Sequence, residues 1–389
     1  MEGLEKWEYV KVMRARYQNA DRGEKQLILD ELLRNETVKH RKSAVRLMRS
    51  KPLVTAPSGR GRRRTYNDFI GQHLRKIWVQ SGQMCSKRLK AAMRYWLPFY
   101  EAPDVTKAAL LRMSPATMDR ILKPVRSEWR RRSHTGTRTG HPMIKTMIPI
   151  KPFNFNILEE GFVECDTVAH CGGSLEGLFA WSLTVTDEHS MWTECRAMWG
   201  KSGKGVIASF EDIEANLPFA VKMRFVDNGN EFLNHQLLNW LRAKGVNPAD
   251  HLKRGRPYRS NDQCHVEQKN FTHVRELFGY DRIGVKDAIA LMNDVYRNEW
   301  SQLQNFFCPQ MKLIRKARIG AKYKREHSKP QTPFHRLMQS ESIPAQKKLE
   351  LQKRYESLNP FLLREQVQKK LKAVYQLIHS AETNPGASA

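Results

Sequence analysis

The chain has 389 residues, 67 lysines and arginines against 40 aspartates and glutamates, a net charge of +27 and 40% hydrophobic residues. That length allows two to four domains and a sizeable core. No apolar run reaches the roughly 18 residues a membrane-spanning helix needs and residues 1–20 are charged throughout, so neither a span nor a secretory signal is read and a cytoplasmic protein is expected.

The charge is unevenly placed: residues 1–150 carry +20, residues 151–300 carry −4 and residues 301–389 carry +11. Basic arms around an acidic centre suit a protein whose flanks hold nucleic-acid phosphates while its middle holds cations. A basic membrane-surface helix with a strong apolar face is not evident. Six cysteines without a C-x-x-C pair fit reduced thiols better than a disulfide framework or a structural zinc.

Residues 1–55 predict three helices, over 4–17, 22–34 with Asp21 as cap, and 38–49 with Thr37 as cap. The third mixes Ala44, Val45, Leu47 and Met48 with cations, so the region has a helix-turn-helix-like layout in which Arg41 and Arg46 are candidate DNA contacts. An ordinary three-helix bundle with a solvated basic face is the plainer alternative. Residues 56–66, "APSGRGRRRTY", form a basic linker whose Arg60, Arg62, Arg63 and Arg64 suit a narrow minor groove or, failing that, a solvated tether.

A second helical module is expected over 67–132, with helices at 67–81, 86–96 and 105–113 and another opening at Ser114 and Pro115. It ends in an arginine run in which Arg130 and Arg131 are candidate DNA contacts. Residues 133–155 hold Gly, Thr and Pro without periodicity and read as an extended linker.

The central region, 156–305, predicts strands at 161–169, 178–186 and 191–197, a helix at 204–216, a strand at 219–226, a helix at 231–244 and a short strand after Gly245. Three acids stand out there. Asp166 lies in the apolar run "FVECDTVAH", Asp227 closes "VKMRFVDNGNEF", and Glu267 sits in the helix-like "SNDQCHVEQKNFTHVRELFGY", at the edge of the stripe Val266, Phe271, Val274, Leu277 and Phe278. Converging carboxylates repel one another unless a cation is present, and oxygen-only ligands suit Mg2+ or Mn2+.

Other polar residues nearby have plainer readings. Asp187 reads as a turn residue, and Glu231 as a first-turn helix acid rather than a ligand. The string "GKSGKG" lacks the spacing of a nucleotide-binding loop, though Lys201 and Lys204 remain candidate DNA contacts. In "HLKRGRPYRSNDQ", Arg254, Arg256 and Arg259 surround Tyr258, a set able to hold phosphates and stack on a base. The basic region 306–389 shows poor strand alternation, so a mostly helical tail with a disordered end is expected.

The segments "ECDTVAHCG", "LTVTDEHSMWTECRAMWGKSG", "RFVDNGNEF" and "RGRPYRSNDQCHVEQKN", in this order, resemble the DDE catalytic core of retroviral integrases and related bacterial insertion-sequence transposases. The resemblance implies an α/β ribonuclease-H-like catalytic core, a mixed sheet with flanking helices. All-α helix-turn-helix-type modules would precede it and the basic, mostly helical tail would follow. It further implies Asp166, Asp227 and Glu267 as catalytic and metal-binding residues for two Mg2+ or Mn2+ ions. The implied reaction is cleavage of transposon-end phosphodiesters by water, then joining of the 3′-hydroxyl ends to target DNA. Double-stranded DNA is the implied partner, bound by a homo-multimer with or without a helper protein.

Two features depart from the viral pattern. The gaps of 60 residues between Asp166 and Asp227 and 39 between Asp227 and Glu267 exceed the compact viral spacing, and Phe271 and Val274 stand where viral enzymes often carry DNA-contacting lysines. A ribonuclease-H-like nuclease that does not join, and a non-catalytic DNA-binding remnant of a transposase, are the alternative readings.

Overall fold

The computed structural model describes residues 3–50, 65–126, 148–149, 157, 159–255, 264–320 and 322–383. The chain divides into two units, Met1–Thr65 and Tyr66–Ala389. Among the described residues no helix is long and apolar enough to cross a membrane.

The first unit contains α1 (Gly3–Asn19), α2 (Arg22–Arg34) and α3 (Arg41–Arg49). A reciprocal capping box between Asp21 and Glu24 starts α2. Helix α3 begins later than its sequence pattern suggests: its N-cap is His40, and Thr37 is buried in the connection instead of capping. Val10, Met13, Ile28, Leu29, Leu32, Ala44 and Met48 close the unit's own small core.

The second unit opens with α4 (Asp68–Gln80), α5 (Ser86–Trp96), α6 (Asp104–Arg112) and α7 (Pro115–Arg126). Here the structure departs from the expected separate module, because these helices share one core with the sheet and the C-terminal helices. The Trp96 indole donates to the carbonyl of Phe307 (3.0 Å), the Arg88 guanidinium donates to that of Pro309 (2.6 Å), and the Trp96 ring packs edge-on against Phe361. Leu74, Ile77, Trp78, Leu89, Trp96 and Leu110 present more apolar surface than four short helices can cover among themselves, and burying it on the neighbouring elements is the favourable outcome.

The sheet has five strands: β1 (Phe162–Ala169), β2 (Ala180–Asp187), β3 (Thr193–Trp199), β4 (Met223–Val226) and β5 (Leu252–Arg254), in spatial order β3-β2-β1-β4-β5. Strands β1, β2 and β3 pair antiparallel, whereas β4 lies parallel to β1 and β5 parallel to β4. Every residue of β2 is buried, so both faces of the sheet are covered. Helices α8 (Gly203–Asn216), α9 (His235–Ala243) and the short α10 (Pro248–His251) lie between the later strands in the chain. This strand order with flanking helices fits a ribonuclease-H-like core.

After β5 the described chain resumes with α11 (Cys264–Lys269), which widens into a π-helical turn, Asn270–Arg275, and closes with α12 (Glu276–Phe278). Val266, Val274, Leu277 and Phe278 of the sequence-predicted stripe are buried, but the wide turn moves Phe271 out to 45% exposure and brings Lys269 and His273 in. Helix α13 (Ala288–Val295) follows and runs on into π turns at Tyr296–Trp300 and Leu303–Phe307.

The C-terminal region, expected to be mostly helical, opens on strands that its poor alternation did not signal. Strands β6 (Leu313–Ile319) and β7 (Lys322–His327) make a hairpin before α14 (Pro333–Gln339), α15 (Ala345–Glu356) and α16 (Pro360–Thr383). The hairpin carries polar residues on both faces, so it lacks the period-2 alternation that marks a strand with one buried face.

Candidate active site

The site is built where β1 and β4 run side by side. Their parallel register pairs Cys165 with Val226. One step further along each strand sets Asp166 beside Asp227, with both side chains on the same face of the sheet. The two carboxyls are half-buried.

Each carboxyl is restrained. Asp166 Oδ1 accepts the N–H of Thr167 (2.7 Å) and its Oδ2 accepts the side-chain amide of Asn270 (2.6 Å), while Asp227 Oδ1 accepts the N–H of Gly229 (2.9 Å). Burial, and then the neighbouring Asp227, push the Asp166 carboxyl up to about 7. Burial, and then Glu231, push that of Asp227 up to about 6. Carboxyls raised in this way by burial and by neighbouring acids form a concentration of negative charge suited to a cation.

Glu231 belongs to this site, contrary to its reading as a first-turn helix acid. Asn234 takes the capping position, accepting the N–H of Leu237 (2.9 Å), so α9 starts beyond Glu231. Glu231 is left buried in the preceding turn, where its Oε1 accepts the Thr167 hydroxyl (2.7 Å) and its Oε2 pairs with the Lys201 ammonium (3.0 Å). A Cβ on Gly229 would lie 2.3 to 2.7 Å from the Glu231 carboxylate, so a side chain there would push that carboxylate off Thr167 and Lys201. Asp187 keeps its turn role: buried in the sheet, it accepts from the N–H of Gly161 and from both the N–H and hydroxyl of Ser190.

Glu267 lies in α11, and its backbone is positioned from both sides. The Val266 N–H donates to the buried Glu164 of β1 (2.9 Å), and Asn270 holds Asp166, two residues further along the same strand. The Glu267 side chain lies outside the described residues. Among the described residues no three His, Cys, Asp or Glu side chains gather closely enough to hold a metal ion. The donor chemistry of the site nevertheless fits a hard divalent cation. Asp166 and Asp227 supply carboxylate oxygen, and beside them the Asn270 amide oxygen is buried with no hydrogen-bond partner among the described residues.

The candidate DNA contacts are scattered. Lys201 and the exposed Lys204 flank Ser202, which caps α8, and the Lys201 ammonium lies 4.8 Å from the centre of the Trp181 ring. Arg254 is occupied structurally: its Nε donates to the carbonyl of Ile148 (3.0 Å) and its Nη1 to Asn228 (3.3 Å). Arg256, Tyr258, Arg259, Arg60, Arg62, Arg63, Arg64, Arg130 and Arg131 lie outside the described residues. In the first unit Arg41 pairs with Asp30, whereas Arg46 is exposed.

No protein-family model matches the chain. An uncharacterized protein of Sinorhizobium fredii (strain NBRC 101917 / NGR234), y4rM, is 34% identical over 341 residues, covering 85% of this chain and 94% of that protein. Among solved structures, the catalytic core domain of BIV integrase aligns over 45% of this chain and 91% of its own, at 15% identity and a TM-score of 0.27.

Proposed function

The chain belongs to the family of the uncharacterized Sinorhizobium fredii protein y4rM, and from the site between β1 and β4 we propose that it is a DDE-type DNA transposase or integrase. The observation that carries this reading is the placement of Asp166 and Asp227 one residue beyond the last rung of the parallel register, Cys165 with Val226, beside a helix that bears Glu267 and is tied to the same strand at Val266 and Asn270. The basic arms and the motif resemblance support DNA as the substrate. Transposition joins two ends in one event, so a homo-multimer on DNA, with or without a helper protein, belongs to the proposal.

In this reading Asp166, Asp227 and Glu267 hold two Mg2+ or Mn2+ ions. Such ions supply an activated water and stabilise the leaving oxygen. The chain's own residues do the positioning. Asn270 and the Thr167 N–H fix both oxygens of Asp166, and the Gly229 N–H fixes Asp227. Glu231, held by Thr167 and Lys201, keeps the turn after β4 in place. The same site serves cleavage by water and attack by the freed 3′-hydroxyl, with no protein nucleophile.

The test is a strand-transfer assay with DNA from both flanks of the gene, comparing the wild type with Asp227→Asn in Mg2+ or Mn2+. Joined products that vanish in the variant are expected. Cleavage without joining would instead indicate a ribonuclease-H-like nuclease, and binding with neither reaction a non-catalytic remnant.

A further inference from the structure

The hairpin β6–β7 is a sheet of two strands. Two strands alone are marginally stable in water and gain from a partner that covers them. Ile314, Ile319 and Tyr323 are 47%, 63% and 53% exposed, and Arg315, Arg318, Lys324 and Arg325 are exposed as well. Residues 313–327 hold six lysines and arginines and one acid, Glu326.

The strand register sorts these residues by face. Lys316 pairs with Arg325 and Arg318 with Tyr323, on one face; Arg315 pairs with Glu326, Ala317 with Lys324 and Ile319 with Lys322, on the other. The acid is confined to the second face. The first carries three cations and a tyrosine. Arg318 uses its Nε on the carbonyl of Gly320 (3.2 Å), and its two outer guanidinium nitrogens have no hydrogen-bond partner among the described residues.

We propose that this ribbon is a DNA-binding arm whose Arg318–Tyr323–Arg325 face lies against the phosphate backbone of duplex DNA. The proposal rests on DNA being the substrate. A two-stranded ribbon has the width of a DNA groove, and guanidinium forks match phosphate geometry. A second copy of the chain is a poorer occupant, because a twofold contact would set these cations against their own copies.

The test measures anisotropy of a labelled duplex of about 30 base pairs without divalent metal, at salt from about 50 to 200 mM, for the wild type and Arg318→Ser/Arg325→Ser. Each lost phosphate contact removes about 0.9 from the slope of log affinity against log salt, so the variant's affinity should fall about tenfold less than the wild type's across that range. Arg315→Ser/Lys324→Ser, on the other face, should retain more of the slope. Duplex binding with equal slopes in wild type and Arg318→Ser/Arg325→Ser overturns the ribbon proposal and leaves the DNA reading standing. Salt-independent or absent binding by the wild type overturns both. A variant that changes oligomeric state by light scattering while keeping its slope assigns the ribbon to a second copy, which also overturns the proposal. If the double variant fails to fold, a fluorophore on Tyr323→Cys should shift its emission when duplex is added, and an unchanged emission again overturns the proposal.

Discussion

Where β1 and β4 run side by side, charged side chains are held by neighbours, Asp166 by Asn270 and Glu231 by Thr167 and Lys201, whereas along the β6–β7 ribbon the one side-chain hydrogen bond of Arg318 among the described residues goes to a carbonyl of its own turn. The difference shows what a charge is for. A group fixed from several sides is suited to chemistry that tolerates little misplacement, because the ordering cost is met by folding. A cation standing in water is suited to a long polyanion that it meets in many registers, at a cost that salt can modulate. The two regions should therefore fail differently when mutated.

Asn270→Ala sharpens this contrast most. It removes the amide that fixes one oxygen of Asp166, and loss of such an outer hydrogen bond lowers metal affinity or activity about 10- to 100-fold. Cleavage measured against Mn2+ concentration should show that loss, while the salt slope of duplex binding stays at the wild-type value. Equal cleavage in both proteins would mean that Asp166 needs no such restraint.

Gly229→Ala should act on folding. Its Cβ would meet the Glu231 carboxylate at 2.3 to 2.7 Å in a turn with little room to relax. Overpacking of this kind costs about 1–3 kcal/mol, visible as a lower melting temperature. The exposed ribbon turn differs in kind: at Gly320 nothing lies within 4 Å of an added Cβ, and the cost of alanine there is the backbone strain of a φ of +59°.

The smallest effect is a pH dependence. Asp166 and Asp227 are raised in the folded protein to about 7 and about 6. Below about pH 4 both are protonated in the folded and unfolded chains, so their contribution to stability is fully present. As pH rises to about 7 the unfolded chain ionises first, and that stability is lost. The metal-free wild type should therefore lose a few degrees of melting temperature relative to Asp227→Asn across this window, and Mn2+ should restore it. Asp187, raised to about 6 by burial, titrates in both proteins and cancels in the comparison. Parallel curves would contradict the raised carboxyls.

Much of this was readable in the residues. The apolar runs ending in or containing Asp166 and Asp227 gave neighbouring strands, because a buried strand excludes an acid unless the acid has a task. Asn67 caps α4 and Ser202 caps α8 through their side chains, as short polar residues do at helix starts. Glu231 and Asn270 escaped because their importance comes from partners distant in the chain: Thr167 lies 64 residues from Glu231, and Asp166 lies 104 from Asn270. Two local signals could have found them. Gly229 marks a close approach, and Asn270, three residues after Glu267, falls near the same helix face. Phe271 alone left the predicted stripe, and for a different reason, since a π turn leaves no composition mark. The hairpin hid because it buries neither face.

The two ties of α11 to β1, at Val266 and Asn270, bear on how such a protein can change over evolutionary time. The placement of Glu267 depends on contacts to the strand that carries Asp166, rather than on the stretch of chain leading into the helix. The connection between β5 and α11 is then at liberty to change in length without moving α11 from β1. The 39-residue interval, longer than the compact viral one, is a length such a tether permits.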